Sequence, residues 1–245
     1  VASDLHYAPH DEALEWYSED PIFGYANRRA AMENESTLII DEFLKQCAED
    51  DKIQFVLVPG DLTNDGKMFI DDHKVVAEKF RKFEATTGKQ IYVIDGNHDV
   101  GITGEFCETG LAEFKQVYYE FGYKEALSVM EDNCSYTADL SDKYRLIALD
   151  SCDPDKSTED GMNDEKVEWV IEQAKKAMED GKLEEAWGCG TAAVISPIGE
   201  LCYKDVKYAV NNGEIGEVTQ MLYDTLTGIQ WGRIEDTRGW VYPIK

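Results

Sequence analysis

Apolar and polar positions along the chain change period several times, and each change marks an element. Ile53-Gln54-Phe55-Val56-Leu57-Val58 is an apolar run closed by Pro59-Gly60, the pattern of a buried strand. Gln90-Ile91-Tyr92-Val93-Ile94, ended by Asp95-Gly96, and Tyr144-Arg145-Leu146-Ile147-Ala148-Leu149 read the same way. Val1-Ala2-Ser3 reads as the end of a further strand, and residues upstream of Val1 are therefore expected. Between the strands the spacing turns helical. Ile40, Phe43, Leu44 and Cys47 share a face over 36–48, and Val76, Phe80 and Phe83 do so over 72–83. Asn163 or Asp164 is placed to cap a helix carrying Val167, Val170, Ile171, Ala174 and Met178, which Gly181-Lys182 ends. The texture then shifts. Gly188-Cys189-Gly190-Thr191 leads into a strand-like Ala192-Ala193-Val194-Ile195, and a helix over 215–226 carries Ile215, Val218, Leu222 and Leu226 on one face.

Strands alternating with helices predict an α/β layered fold. The length of 245 residues admits one large domain or two small ones. A hydrophobic fraction of 43% fits a globular chain, and no run of eighteen apolar residues is present to form a membrane-spanning helix. The net charge is −26. It is unevenly spread: residues 182–245 hold six basic and nine acidic residues, which leaves −23 on residues 1–181. Such a field repels nucleic acid and anionic membranes, so neither is an expected partner. The six cysteines, Cys47, Cys107, Cys134, Cys152, Cys189 and Cys202, form no CxxC pair, which argues against a zinc knuckle or a redox motif. Compartment and oligomeric state are not written in the sequence.

Three short motifs follow three predicted strands: Asp4-Leu5-His6, Gly60-Asp61-Leu62-Thr63-Asn64-Asp65-Gly66, and Gly96-Asn97-His98-Asp99. Ligand groups converge at the carboxyl ends of strands in α/β sheets. On an extended segment Asp4 and His6 point the same way and can grip one cation through an oxygen and a nitrogen. Two divalent ions about 3.5–4 Å apart clamp a phosphate ester well. A carboxylate must lie between them, and Asp61 is placed for this, with Asn97 offering a neutral oxygen to the second ion. His98 is placed to protonate the leaving oxygen or to stabilise the charged transition state, and Asp99 to orient the His98 imidazole.

Taken in order, these motifs resemble those of the calcineurin-like metallophosphoesterase family. The similarity extends through Ala126-Leu127-Ser128, Ser135-Tyr136-Thr137-Ala138-Asp139, Leu146-Ile147-Ala148-Leu149-Asp150-Ser151, Asp160-Gly161 and Trp169, about three quarters of the chain. The resemblance implies Asp4, His6 and Asp61 on one metal ion, Asp61 and Asn97 on another, and His98 as the catalytic imidazole. It implies a β-sandwich flanked by helices, two divalent ions (manganese, iron or zinc) and a small phosphate-ester substrate, a monoester or a diester. The family also supplies three later histidine ligands. This chain has only His6, His10, His73 and His98, so the second ion would keep two oxygen ligands. Neither His10 nor His73 is expected to substitute, and reduced or absent activity is expected.

The remainder resembles a different family. Leu183 through Pro197, Gly216 through Gln230 and Gly239-Trp240 are similar to the end of branched-chain amino acid aminotransferases. That resemblance implies a role for Thr191 and Ala192 in binding a cofactor phosphate. The lysine that would carry pyridoxal phosphate belongs to a part of that enzyme not present here, so the cofactor is not expected. The chain thus reads as an incomplete metallophosphoesterase-like domain over 1–181, followed by a short α/β segment of foreign origin over 182–245. The expected function is metal-dependent hydrolysis of phosphate esters. The rival readings are a non-catalytic metal- or phosphate-binding protein and an aminotransferase fragment.

Overall fold

The computed structural model describes residues 1–8, 35–101, 107–152, 162–179, 183–188, 195–237, 239 and 241. His10, Thr191, Ala192, the junction at Gly181-Lys182 and most of the strand expected over 192–195 lie outside them. The chain divides into two compact units, Val1–Met162 and Asn163–Lys245. Both mix helix and sheet, as the alternating pattern predicts. Among the described residues no helix is long and apolar enough to cross a membrane.

The first unit runs α1 (Ser36–Glu49), β1 (Phe55–Pro59), α2 (Ile70–Thr87), β2 (Gln90–Ile94), α3 (Leu111–Val117), β3 (Ser128–Val129), β4 (Tyr136–Asp139) and β5 (Arg145–Ala148). β1 and β2 pair in parallel, Val56 opposite Ile91 and Val58 opposite Val93, with α2 as the crossover between them. Val56, Val58 and the whole of Ile91–Ile94 are buried, as continuous apolar runs in a covered parallel sheet should be. The segment before α1 lies alongside β1 without forming a strand: Ala2 donates to the Leu57 carbonyl, Tyr7 donates to that of Leu62, and Tyr7 and Thr63 form a single parallel bridge. β3, β4 and β5 make an antiparallel sheet in that order.

α1 buries Ile40, Leu44 and Cys47, the predicted face. Its last carbonyls are collected by one cation, the Lys89 ammonium, which lies 2.7 Å from Cys47 O, 3.1 Å from Ala48 O and 2.9 Å from Asp50 O. α2 buries Val76, Ala77, Phe80 and Phe83. Phe80 meets Phe121 edge-on, and Phe114, Tyr118 and Phe121 continue the aromatic packing. A large side chain buried in this way contributes roughly 1.5–3 kcal/mol.

The second unit holds α4 (Asp164–Glu179), the short pair β6 (Trp187–Gly188) and β7 (Ser196–Pro197), the hairpin β8 (Glu200–Tyr203) and β9 (Val206–Ala209), and α5 (Glu217–Gln230). Asn163 caps α4 as expected, its Oδ1 accepting from Lys166 N at 2.8 Å. Glu185 caps α5 from a distance. Its carboxylate accepts from Val218 N at 3.0 Å, Thr219 N at 2.9 Å and the Thr219 hydroxyl at 2.6 Å. Of the apolar face expected over 215–226, Val218, Leu222 and Leu226 are half-buried. Ile215 precedes the helix and is 53% exposed, and the residues the helix buries fully are Thr219, Thr227, Gly228 and Ile229. Among the described residues the buried apolar side chains of this unit are Ile171, Ala174, Val210 and Ile229.

Candidate metal centre

β1 and β2 are parallel, so their carboxyl ends open at the same place, and both lead into tight turns. Gly60 has φ +89°, a left-handed conformation that turns the chain sharply off β1 and presents Asp61. Gly96 serves by its size. A Cβ there would collide with the Asp61 carboxylate and backbone nitrogen. The turn after β2 can therefore lie directly against Asp61.

Asp4, His6 and Asp61 come together. Their ligand atoms all lie within 4.8 Å of one another. His6 Nε2 is 3.7 Å from Asp4 Oδ1 and 3.9 Å from Asp61 Oδ2. These separations are too long for hydrogen bonds. They suit two donors on one cation, since two bonds of about 2.1 Å span at most ~4.2 Å. The local backbone differs from the expectation. Asp4 and His6 do not converge by lying on an extended strand; both are left-handed, φ 56° and 41°, as is Asp61 at 50°. The cause is the neighbouring turn. Asp4 N donates to Gly60 O and His6 N to Asp61 O, so the first segment copies the bend after β1. Such conformations cost roughly 1–3 kcal/mol each and gather at functional sites.

The donor set fits a divalent cation: two carboxylates and an imidazole, partly buried, with His6 Nδ1 buried and lacking a hydrogen-bond partner among the described residues. Burial raises the pKa of the Asp61 carboxyl and the charge of Asp99 adds to this, while the His98 N–H and the two histidines work against it. A cation at this point would relieve the same desolvation.

His98 stands beside the group. Its backbone N–H donates to Asp61 Oδ1 at 3.1 Å, and its ring meets that of His6 edge-on with centroids 4.8 Å apart. Its Nδ1 lies 2.6 Å from the Asn64 carbonyl oxygen. A carbonyl only accepts, so Nδ1 carries the hydrogen and Nε2 is left for chemistry. This corrects the role expected of Asp99. The Asp99 carboxylate is fully buried and taken up by the amides of Leu62, Thr63 and Gly96 and the Thr63 hydroxyl, so the imidazole is oriented by a peptide carbonyl instead. Asn97, between Gly96 and His98 in the same turn, is exposed. His73 is fully buried, held by Tyr118 and the Asp99 carbonyl, and is part of the packing, as expected.

One cluster escaped the sequence reading. Asp95, Cys134 and Asp150 are buried together. Asp150 accepts from Cys134 N at 3.1 Å and Cys152 N at 2.8 Å, and its own N–H donates to Ser135 Oγ at 3.0 Å. It thus ties the end of β5 to the start of β4. The available signal was an acidic residue directly after each of two apolar runs, Asp95 and Asp150.

Comparison with known proteins gives two answers for one chain. Branched-chain-amino-acid aminotransferase 2 of Bacillus subtilis is 52% identical over 75 residues, 31% of this chain and 21% of that protein. A probable branched-chain-amino-acid aminotransferase of Staphylococcus epidermidis is 54% identical over 70 residues, 29% of this chain and 20% of that protein. One from Mycolicibacterium smegmatis is 38% identical over 85 residues, 35% and 23% of the two chains. The chain thus spans about a fifth of the length of the curated relatives it matches. Both resemblances expected from the sequence are present, and the chain is chimeric in its kinship. The larger share belongs to the other family, whose description is calcineurin-like phosphoesterase and whose model matches residues 1–184. Its members use divalent metals, and its model covers well over half of the sequence: this chain belongs to the calcineurin-like phosphoesterase family.

Proposed function

We propose that the chain hydrolyses small phosphate esters, monoesters or diesters, at a dinuclear site built on Asp4, His6, Asp61 and Asn97, with His98 as the catalytic imidazole. The convergence of Asp4, His6 and Asp61 carries this reading, with His98 fixed beside them. Asp4, His6 and Asp61 would hold the first ion, and Asp61 and Asn97 the second; manganese, iron and zinc all suit oxygen and imidazole donors. Bound divalent ions supply Lewis-acid polarisation of the phosphoryl oxygens and acidify water. The chain supplies the rest. Asp61 is held by the His98 N–H so that its second oxygen faces His6. His98, with Nδ1 committed to Asn64 O, presents Nε2 to give a proton to the leaving oxygen or to steady developing charge.

Activity is expected to be low, because no histidine follows residue 98 to complete the second ion's ligands. By descent we divide the chain into 1–181, an incomplete β-sandwich flanked by helices, and 182–245, a segment of aminotransferase origin. The compact units divide earlier, so α4 folds with the C-terminal segment, where Glu168 pairs with Lys204. We assign no transamination to Thr191 and Ala192.

The exposed position of Asn97 favours one rival, a protein that binds a single ion without turnover. The test is release of nitrophenol from aryl phosphomonoesters and diesters in the presence of Mn²⁺, Fe²⁺ or Zn²⁺, before and after chelation. The proposal expects metal-dependent turnover that chelation abolishes. Saturable metal binding with no turnover of either ester supports the rival.

A further inference from the structure

Asp99 is fully buried, and its carboxylate has four donors. Oδ2 accepts from Leu62 N at 3.1 Å and Gly96 N at 2.9 Å. Oδ1 accepts from Thr63 N at 3.0 Å and the Thr63 hydroxyl at 3.0 Å. A carboxylate offers about four acceptor positions, so this one is saturated. The donors come from two different turns. Leu62 and Thr63 follow Asp61 in the turn after β1, and Gly96 precedes Asn97 and His98 in the turn after β2. One anion therefore joins the backbones that carry the ligands and the imidazole.

Asp99 is itself anchored from behind. Its carbonyl oxygen lies 3.0 Å from His73 Nε2, which must be the protonated nitrogen, and His73 Nδ1 then accepts from the Tyr118 hydroxyl at 3.0 Å. His73 and Tyr118 are fully buried, and both pack on Phe114. The carboxylate is thus fixed relative to α2 and α3, while its oxygens fix the two turns.

We propose that Asp99 is a positioning residue: by gathering the amides of Leu62, Thr63 and Gly96 it sets the separation of Asp61 from Asn97 and His98, and so governs the affinity of the site for a divalent cation. The proposal rests on the reading of Asp4, His6, Asp61 and Asn97 as ligands. Groups that orient metal ligands through hydrogen bonds change metal affinity by about 10- to 100-fold when removed.

The test is calorimetric titration of the full chain with Mn²⁺, comparing the wild type with Asp99→Asn, Thr63→Val and Asp61→Asn, alongside their melting temperatures. Asp99→Asn keeps the shape but turns an amide group toward N–H donors. Its Mn²⁺ binding is expected to weaken by about 10- to 100-fold in protein that is still folded. Thr63→Val, which deletes the hydroxyl bond alone, is expected to weaken binding less, in the same direction. A purely structural role would lower the melting temperature of Asp99→Asn and leave the Mn²⁺ affinity of the folded protein unchanged, which overturns the proposal. Should Asp99→Asn fail to fold, unchanged affinity in Thr63→Val overturns it. Wild-type affinity in Asp61→Asn would instead remove the metal-site reading, and this inference with it.

Discussion

The Nδ1 atom of His98 lies 2.6 Å from the backbone carbonyl oxygen of Asn64. The bond that fixes the tautomer of the imidazole thus comes from the main chain, while the Asn64 side chain is engaged elsewhere, with Asp65 Oδ2 at 2.8 Å. Asn64→Ala is therefore expected to lower the rate of ester hydrolysis by less than about tenfold, against about 10²-fold for losing the imidazole itself. Steady-state rates at saturating Mn²⁺ check this; equal losses would mean that the side chain orients His98.

Gly96→Ala tests the contact between the two turns. The added methyl would meet the Asp61 carboxylate, which accepts from the His98 N–H, and the Asp61 backbone nitrogen, next to Leu62, whose own N–H is bonded to Asp99. A stability loss of about 1–3 kcal/mol is expected from such overpacking, together with weaker Mn²⁺ binding. Denaturant titration and calorimetry read the two effects separately.

His73 gives the fold a dependence on pH. Burial holds its pKa below the ordinary value near 6.5, while the Asp99 charge and its hydrogen bond to the Asp99 carbonyl pull the other way. The unfolded chain therefore takes up the proton first. Stability contributed by the neutral ring is intact above about pH 6.5 and declines as the pH falls toward the lower folded value. Between about pH 7.5 and about pH 5.5 the wild type is expected to lose more stability in urea than His73→Gln does. Parallel pH profiles would contradict this.

Much of this was legible beforehand, for physical reasons. The runs at 55–58 and 91–94 form a parallel pair whose residues are buried or half-buried on both faces, so they are apolar throughout and stand out. Their ends carry the motifs, and Asp4, His6 and Asp61 lie together with the His98 ring against that of His6. What escaped depends on backbone. Neither the left-handed conformations of Asp4, His6 and Asp61 nor the Asn64 carbonyl leaves a mark on residue type. Asp99 shows the limit from the other side: its place next to His98 suggested a side-chain partner, yet burial gave its oxygens to three amides and a hydroxyl. The α5 face misled in a different way. Ile215, Val218, Leu222 and Leu226 have helical spacing, but the helix begins at Glu217, so Ile215 precedes it and stays exposed while the other three are half-buried.

Glu185 is a polar tie within that second unit. Burial opposes its charge, but the Thr219 hydroxyl and the Thr219 and Val218 amides together hold its carboxyl below the usual range. Its contribution is thus present above about pH 4.5 and fades as the pH falls below that. Glu185→Ala removes the cap of α5 and is expected to cost about 1 kcal/mol locally. Faster amide hydrogen exchange at Val218 and Thr219 is the readout; unchanged exchange would mean that the helix start is held by other contacts.

The most direct test of the whole account is Mn²⁺-dependent hydrolysis of a chromogenic aryl phosphodiester by the full chain and by His98→Ala. The account predicts turnover by the chain and a rate lower by about 10²-fold or more in the variant, the loss expected for an acid–base group. Equal rates in the two proteins, or two equally inert proteins with the metal in excess, would contradict it.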